Sequence, residues 1–314
     1  MTIGFLVTVA VFLGLLFFLI SEIRHPPRRS DSPWPKRLRL VRIVIFLIAG
    51  SLAVWAFFIE PNRLVTHYAT IQIDQLPYKL SDLKIALLSD IHAGSAFIDE
   101  AKLRLIVERT NQLNPDLILI AGDFVAGDRG NTHRIEPEVF APILKNLRAS
   151  LGVYAVLGNH DWWYDAPKVR TALEANGIRV LDNEFTFVSS RGGPIFLVGL
   201  ADLWEGQQRI QETIAKIPDG PPIIALTHNP DIFPELPKRV TLLLAGHTHG
   251  GQVRFPLIGT VVQSSRYGDR YASGHVVENG HHLFVTTGIG TSIVPVRFGV
   301  APEIVLLTLR SASQ

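Results

Sequence analysis

Apolar and polar positions follow two different regimes along this chain. Residues 2–20 and 43–59 contain no charged side chain, giving uncharged runs of 19 and 17 residues. A helix needs roughly 17–25 apolar residues to cross a bilayer core, so both runs are expected to be transmembrane helices. Trp55 sits near the far end of the second run, where an interfacial anchor belongs. The first run has no Lys or Arg before it and no small-residue site after it, which argues against a cleaved signal peptide. From Arg63 onward the apolar runs shorten. Residues 67–73 alternate loosely, and 84–89, 116–121, 153–157, 195–200, 223–227 and 241–245 are compact apolar runs of the kind that form buried strands. Between them, 98–114 carries Leu103, Ile106, Val107 and Leu113 at helical spacing, and a second helix over 167–176 is expected to stop at Gly177. Strands and turns dominate after Gly250. Strand–helix alternation followed by strands predicts a layered α/β fold with two packed sheets. The expected organisation is a membrane anchor over 1–62 and a catalytic domain over 63–314.

Charge changes the picture of the first segment more than of the second. Residues 1–60 hold seven of the 30 Lys/Arg and three of the 28 Asp/Glu, which leaves 23 basic and 25 acidic residues for 61–314. The large domain is therefore slightly acidic, and no nucleic-acid partner is expected. The basic residues concentrate between the two apolar runs, where Pro26, Pro27, Pro33 and Pro35 argue against a continuous helix. The positive-inside rule places that loop in the cytoplasm and the catalytic domain outside the cell membrane. The chain has no cysteine, which excludes disulfides, thiolate metal sites and cysteine nucleophiles.

The candidate chemistry lies at the ends of the apolar strands, where side chains converge on one edge of an α/β sheet. Asp90 and His92 follow 84–89, Asp123 follows 116–121, and Asn159, His160 and Asp161 follow 153–157. His228 follows 223–227, and His247 and His249 follow 241–245. In Asp90-x-His92 and His247-x-His249, residues two apart on an extended backbone project to one side. Asp90, His92, Asp123, Asn159, His228, His247 and His249 are the candidate metal ligands. Such a mixture of carboxylate and imidazole suits Mn, Fe, Zn or Co better than Ca or Mg. One shared carboxylate would bring two ions to roughly 3.5–4 Å, the spacing of two-metal phosphoester hydrolases.

The blocks Asp90-Ile91-His92, Gly122-Asp123, Gly158-Asn159-His160-Asp161, His228 and Gly246-His247-Thr248-His249, in this order, resemble the calcineurin-like metallophosphoesterase family. Downstream, Gly250-Gly251-Gln252-Val253-Arg254, Arg266-Tyr267-Gly268, Gly288-Ile289-Gly290-Thr291-Ser292 and Pro295-Val296-Arg297-Phe298 look like its membrane-associated bacterial YkuE/YaeI-type branch. The resemblance implies an α/β/β/α sandwich of two mixed sheets. It also implies two divalent metal ions, with Asp90, His92, Asp123 and His249 at one and Asp123, Asn159, His228 and His247 at the other. By the same resemblance His160 would face the phosphate and donate a hydrogen bond or proton, with Asp161 as a candidate to orient it. Many relatives carry a second acid shortly after the Asp123 block; here the chain reads Phe124-Val125-Ala126, and Asp128 is the nearest substitute.

Other residues have two readings. Trp162, Trp163 and Tyr164 could line a lipid or base site, or pack as core or lid. Arg254, Arg266, Arg270 and Arg297 could grip phosphate bidentately, although each taken singly is expected in a structural ion pair or on a solvated face. The remaining six histidines match no block. The first functional expectation is a phosphodiesterase of the bacterial inner membrane, acting on a phosphorylated envelope lipid or cell-wall substrate. The alternative is a UDP-2,3-diacylglucosamine-type pyrophosphatase, whose cytoplasmic substrate conflicts with the inferred topology. A non-catalytic membrane scaffold is the reading from another class, disfavoured because Asp123, Asn159 and His160 are all kept.

Overall fold

The computed structural model describes residues 34–312 except 75 and 128–133, together with Gly14, Phe17, Ile20, Ser21 and Arg24. The expected transmembrane run 2–20 lies mostly outside the described residues, as do Asp128, His25 and His133. Helix α1 (Trp34–Val54) opens the continuous part and runs on as a π-helical turn (Trp55–Ile59) and a 3-10 turn (Glu60–Asn62). It begins well before the uncharged run at 43–59 and absorbs the basic residues up to Arg42. Pro35 falls in its first turn, where the missing N–H has no helical partner to lose. Among the described residues, Arg37–Asn62 is the one stretch long and apolar enough to cross a membrane, and only 11% of its apolar window is buried. Among the described residues one of the two expected spans is therefore found; the other lies mostly outside them.

The end of this helix is fastened to the large domain. The Arg297 N–H donates to Ala56 O at 3.0 Å, and the Gly299 N–H donates to the Glu60 carboxylate at 2.9 Å. Trp55 Nε1–H donates to the same Glu60 oxygen at 2.9 Å. The expected boundary between residues 62 and 63 thus falls beside a docked joint.

Two six-stranded mixed sheets form the large domain. The strands are β1 (Val65–Ile73), β2 (Lys84–Leu88), β3 (Leu117–Ile120), β4 (Val153–Ala155), β5 (Arg179–Val180), β6 (Glu184–Ser190), β7 (Gly193–Gly199), β8 (Ile223–Leu226), β9 (Val240–Ala245), β10 (Arg254–Phe255), β11 (Gly259–Thr260), β12 (Gly274–Glu278), β13 (His281–Val285) and β14 (Glu303–Ser311). The first sheet runs β1-β14-β2-β3-β4-β5 and the second β12-β13-β9-β8-β7-β6, with β10-β11 as a separate hairpin. The C-terminal strand β14 inserts between β1 (parallel, Val65 opposite Glu303) and β2 (antiparallel, Ile85 opposite Leu307).

The inner strands are apolar on both faces because both faces are covered. In β2, Ile85 and Leu87 point into the core between the sheets, with Leu119, Leu197, Leu226, Leu244 and Leu307. Ala86 and Leu88 point the other way, against helices α2 (Glu100–Gln112), α3 (Pro137–Leu144) and α4 (Asn159–Ala175). The second sheet's outer face packs on α5 (Ile210–Ala215) and the 3-10 segment Pro230–Glu235. This is the expected α/β/β/α order. Helix α2 presents Leu103, Ile106 and Val107 to the core, and its N-cap Asp99 accepts from the Lys102 N–H at 2.7 Å, satisfying an otherwise orphaned donor. Helix α4 is kinked at Asp165, whose backbone is non-helical. The part after the kink is the helix expected near 167–176, and an additional segment ahead of it begins at Asn159, so the candidate block Asn159–Asp161 lies in the first turn.

Leu244 is fully buried between the sheets. Leu244→Ala should destabilise the fold by about 2–5 kcal/mol, read as an earlier denaturant midpoint for the full chain in detergent; an unchanged midpoint would contradict the two-sheet core.

Candidate metal centre

Every sequence-predicted site residue comes to one edge of the two sheets. Asp90 and His92 follow β2, Asp123 follows β3, and Asn159 opens α4 after β4. His228 follows β8, and His247 and His249 follow β9. The turns that carry them are unusual. Asp90, His92, Asp123, His247 and His249 all have positive φ, between 48° and 71°. Side chains other than glycine rarely adopt this left-handed region, and Asp and His are among those that tolerate it best. Strands β2, β3 and β9 thus end in hooks that turn polar side chains back across the sheet edge. Two glycines make room: a Cβ on Gly158 would collide with the Asp123 carboxylate, and one on Gly246 with Ser89 and Asp90.

The donors are close and buried. His92 Nε2 lies 3.1 Å from His249 Nε2 and 3.6 Å from Asp123 Oδ2. His249 Nε2 lies 3.3 Å from Asp90 Oδ1. On the other side of Asp123, His228 Nε2 is 3.3 Å from Asp123 Oδ2 and 3.1 Å from His247 Nδ1. Ligand atoms of Asp90, His92 and His249 lie within 4.8 Å of one another, as do those of Asp90, Asp123 and His228, and those of His92, Asp123 and His160. The seven proposed ligands are all buried. Asp90 Oδ1, Asn159 Oδ1, His247 Nε2 and His160 Nδ1 are buried polar atoms without a hydrogen-bond partner. Buried lone pairs left in this way are costly, and a divalent cation is the species that satisfies oxygen and imidazole donors together. The residues therefore fit a metal centre.

Backbone carbonyls fix the rings. His92 Nδ1 lies 3.2 Å from Val125 O and His228 Nδ1 lies 2.7 Å from Ala121 O. A carbonyl only accepts, so each Nδ1 carries the proton and each Nε2 faces the cluster. Burial, with the neighbouring His160, lowers the His92 pKa to about 3, and burial with His228 lowers that of His247 to about 3. His249 is also lowered, chiefly by burial. These three are neutral imidazoles at ordinary pH, the form that binds metal. His228 is the exception. Burial disfavours its charge, but the charge and hydrogen bond of Asp123, with Asp90 and Asp202, outweigh that and raise it to about 10. Burial, opposed by His228 and reinforced by Asp123, raises Asp90 to about 6.

His160 stands at the cleft wall. Its N–H donates to Asp123 Oδ1 at 2.9 Å, and its ring lies 4.7 Å from those of His92 and Trp163. Asp161 does not orient it. One Asp161 oxygen accepts from the N–H groups of Phe124 and Val125 at 2.9 and 3.0 Å, and the other from that of Gly158 at 3.0 Å. The first turn of α4 aims this carboxylate at the backbone and away from the neighbouring ring, so Asp161 clamps the Asp123 and Asn159 turns together.

The remaining candidates separate. Trp163 lines the cleft and donates to Glu205 at 2.6 Å, whereas Trp162 packs on the outer core and Tyr164 bonds Glu136 and Lys168. Arg266 and Arg270 pair with Glu235 and Glu278. Arg297 is fully buried, its guanidinium donating to the carbonyls of Thr287, Gly288, Gly290 and Val300, with Nη2 3.5 Å from His249 Nδ1. It supports the wall behind His249 and cannot reach a substrate. Two residues escaped the sequence reading. Asp202 is buried, accepts from the N–H groups of Trp204 and Glu205, and leaves one oxygen unpartnered. Trp204 packs its ring 4.3 Å from that of His247. Asp202 follows β7 as the other acids follow their strands, and that placement was the available signal.

Residues 83–251 match the family described as calcineurin-like phosphoesterase. The chain is 32% identical to the Bacillus subtilis (strain 168) uncharacterized metallophosphoesterase YkuE, over 85% of this chain and 93% of that protein. It is 32% identical to the Escherichia coli (strain K12) phosphodiesterase YaeI, over 72% and 82% respectively. A zebrafish (Danio rerio) transmembrane protein with metallophosphoesterase domain is 29% identical over 96% of this chain and 72% of its own length.

The raised His228 pKa sets a pH dependence. In the metal-free protein this ring holds its extra proton across neutral pH and releases it only near pH 10. Metal binding through Nε2 must displace that proton, so apparent Mn²⁺ affinity should rise with pH and binding should release about one proton per chain near neutrality. Calorimetry in buffers of different ionisation enthalpy measures this; a pH-independent affinity would remove His228 from the ligand set.

Proposed function

The chain belongs to the calcineurin-like phosphoesterase family, and from that premise we propose that it is a membrane-anchored phosphodiesterase with two metal ions. The observation that carries the metal reading is the buried cluster of unpartnered donors around Asp123. Asp90, His92, Asp123 and His249 would hold one ion, and Asp123, Asn159, His228 and His247 the other, with Asp123 shared. When bound, two divalent cations supply positive charge to the phosphate oxygens and lower the pKa of an attacking water. The chain's own groups do the rest. His160, neutral because burial lowers its pKa, offers one N–H at the cleft wall to the leaving-group oxygen. Trp163 holds that ring from outside, and the backbone N–H of His160 fixes the Asp123 carboxylate. Asp161 keeps both turns in register.

The diester preference is supported by the name of the E. coli relative, and the membrane anchor by the apolar helix Arg37–Asn62 and the zebrafish relative's name. The metals are Mn, Fe or Zn by the chemistry of the donors. A lipid-linked or cell-wall phosphodiester suits an active domain whose anchor helix is docked against it, and the basic residues before the helix favour an extracytoplasmic domain.

The test uses the full chain in detergent with bis-p-nitrophenyl phosphate, with and without added Mn²⁺. Turnover should require metal, fall to background in Asp123→Ala, and fall by about 10²–10⁴-fold in His160→Ala. Near-normal turnover in His160→Ala would remove its assigned role.

A further inference from the structure

The cleft above the metal cluster has a volume of about 1560 Å³, and its outer lining is apolar: Phe97, Leu105, Val261, Val262, Ile293 and Val294. Asn62, the last residue of the anchor helix, is part of the same lining. Beside the mouth, the β10–β11 hairpin and the loop after Ser292 hold large apolar side chains out to solvent. Leu257 is 108% exposed, Ile258 78% and Ile293 96%. Leu257 and Ile293 also have positive φ, 68° and 63°, a conformation that is costly for a β-branched residue such as Ile293. An apolar side chain fully exposed on a strained turn gains nothing from the fold itself, and adjoining exposed apolar groups of this kind mark an interaction surface.

The occupant follows from what the patch is attached to. Val253 bridges to Phe298, and the Arg254 N–H donates to Phe298 O at 2.8 Å, so the hairpin is built onto the 297–299 segment. That segment is the one hydrogen-bonded to Ala56 and Glu60 at the end of the candidate membrane helix. The Gln252 side chain ties the 292–294 loop to the same unit, through Ser292 O and Val294 O at 3.2 and 3.3 Å. Trp55, with the Arg63 guanidinium 5.8 Å from its ring centroid, marks the helix level where an aromatic and a cation meet a headgroup layer. The hairpin tip, the 293–294 loop and the cleft mouth are therefore joined to the helix at its interfacial end.

We propose that Leu257, Ile258 and Ile293 insert into the lipid bilayer beside the anchor helix, seating the cleft mouth on the membrane surface so that a phosphoester is drawn from the lipid phase itself. This rests on the anchored phosphoesterase reading and deepens it: the substrate is a membrane lipid carrying a phosphoester headgroup, with its acyl chains remaining against the apolar rim while the headgroup reaches the metal cluster.

The absence of native cysteine makes the test direct. Single-cysteine variants Leu257→Cys, Ile293→Cys, Leu52→Cys in the helix and Tyr68→Cys on β1 are nitroxide-labelled in the full chain. They are then reconstituted in vesicles of phosphatidylcholine and phosphatidylglycerol. Accessibility to oxygen relative to a water-soluble nickel chelate reports depth. The labels at 257 and 293 should show a several-fold higher oxygen-to-nickel ratio than the label at 68, as should the label at 52. Ratios at 257 and 293 equal to that at 68, with 52 still lipid-like, would overturn the inserted surface and leave the anchor standing. A water-like ratio at 52 as well would overturn both. Turnover of bis-p-nitrophenyl phosphate by unlabelled Leu257→Cys, expected unchanged from the parent chain, tests the phosphoesterase reading separately.

Discussion

Around Asp123, carboxylates and imidazoles are packed at 3.1–3.6 Å on the buried floor of the cleft, with several of their polar atoms lacking a protein partner. Neutral His92, His247 and His249 cannot balance the carboxylates, and the electrostatic demand falls on one ring, His228, whose pKa rises to about 10. Divalent cations would remove the conflict by taking the lone pairs as ligands and supplying the missing positive charge. The local architecture holds this set in place.

The fold supplies that restraint in layers. Buried strands with both faces covered give rigid ends, left-handed turns at Asp90, His92, Asp123, His247 and His249 swing the side chains inward, and Asp161 locks the Asp123 turn to the Asn159 turn through three backbone N–H groups. Behind His249, the Arg297 guanidinium is caged by carbonyls from the 287–290 and 300 positions. The backbone of the same residue is bonded to the end of the candidate membrane helix. The joint between that helix and the domain is thus also the wall behind the candidate metal cluster.

The strand ends and the gathering of the candidate ligands were legible because an apolar run ending in Asp, Asn or His is a local pattern, and Asp90-x-His92 and His247-x-His249 carry their geometry in their spacing. Contacts between distant residues were not. β14 lies between β1 and β2 through pairings such as Val65 with Glu303, which no local pattern encodes. Asp161 follows His160 in sequence, which suggested a partner for the ring, but the first turn of α4 points adjacent side chains in different directions. Arg297 reads as a surface cation until its carbonyl cage is assembled from the 287–290 and 300 positions. Helix α1 begins at Trp34 and not at 43 because basic residues such as Arg37, Arg39 and Arg42 are compatible with a helix.

The most direct measurement is the anomalous scattering of Mn²⁺ in crystals of the full chain. Two peaks are expected, one on each side of the Asp123 carboxylate, roughly 3.5–4 Å apart, with Asp90, His92 and His249 around one and Asn159, His228 and His247 around the other. Crystals grown with saturating Mn²⁺ that show no peak at Asp123 would contradict the account.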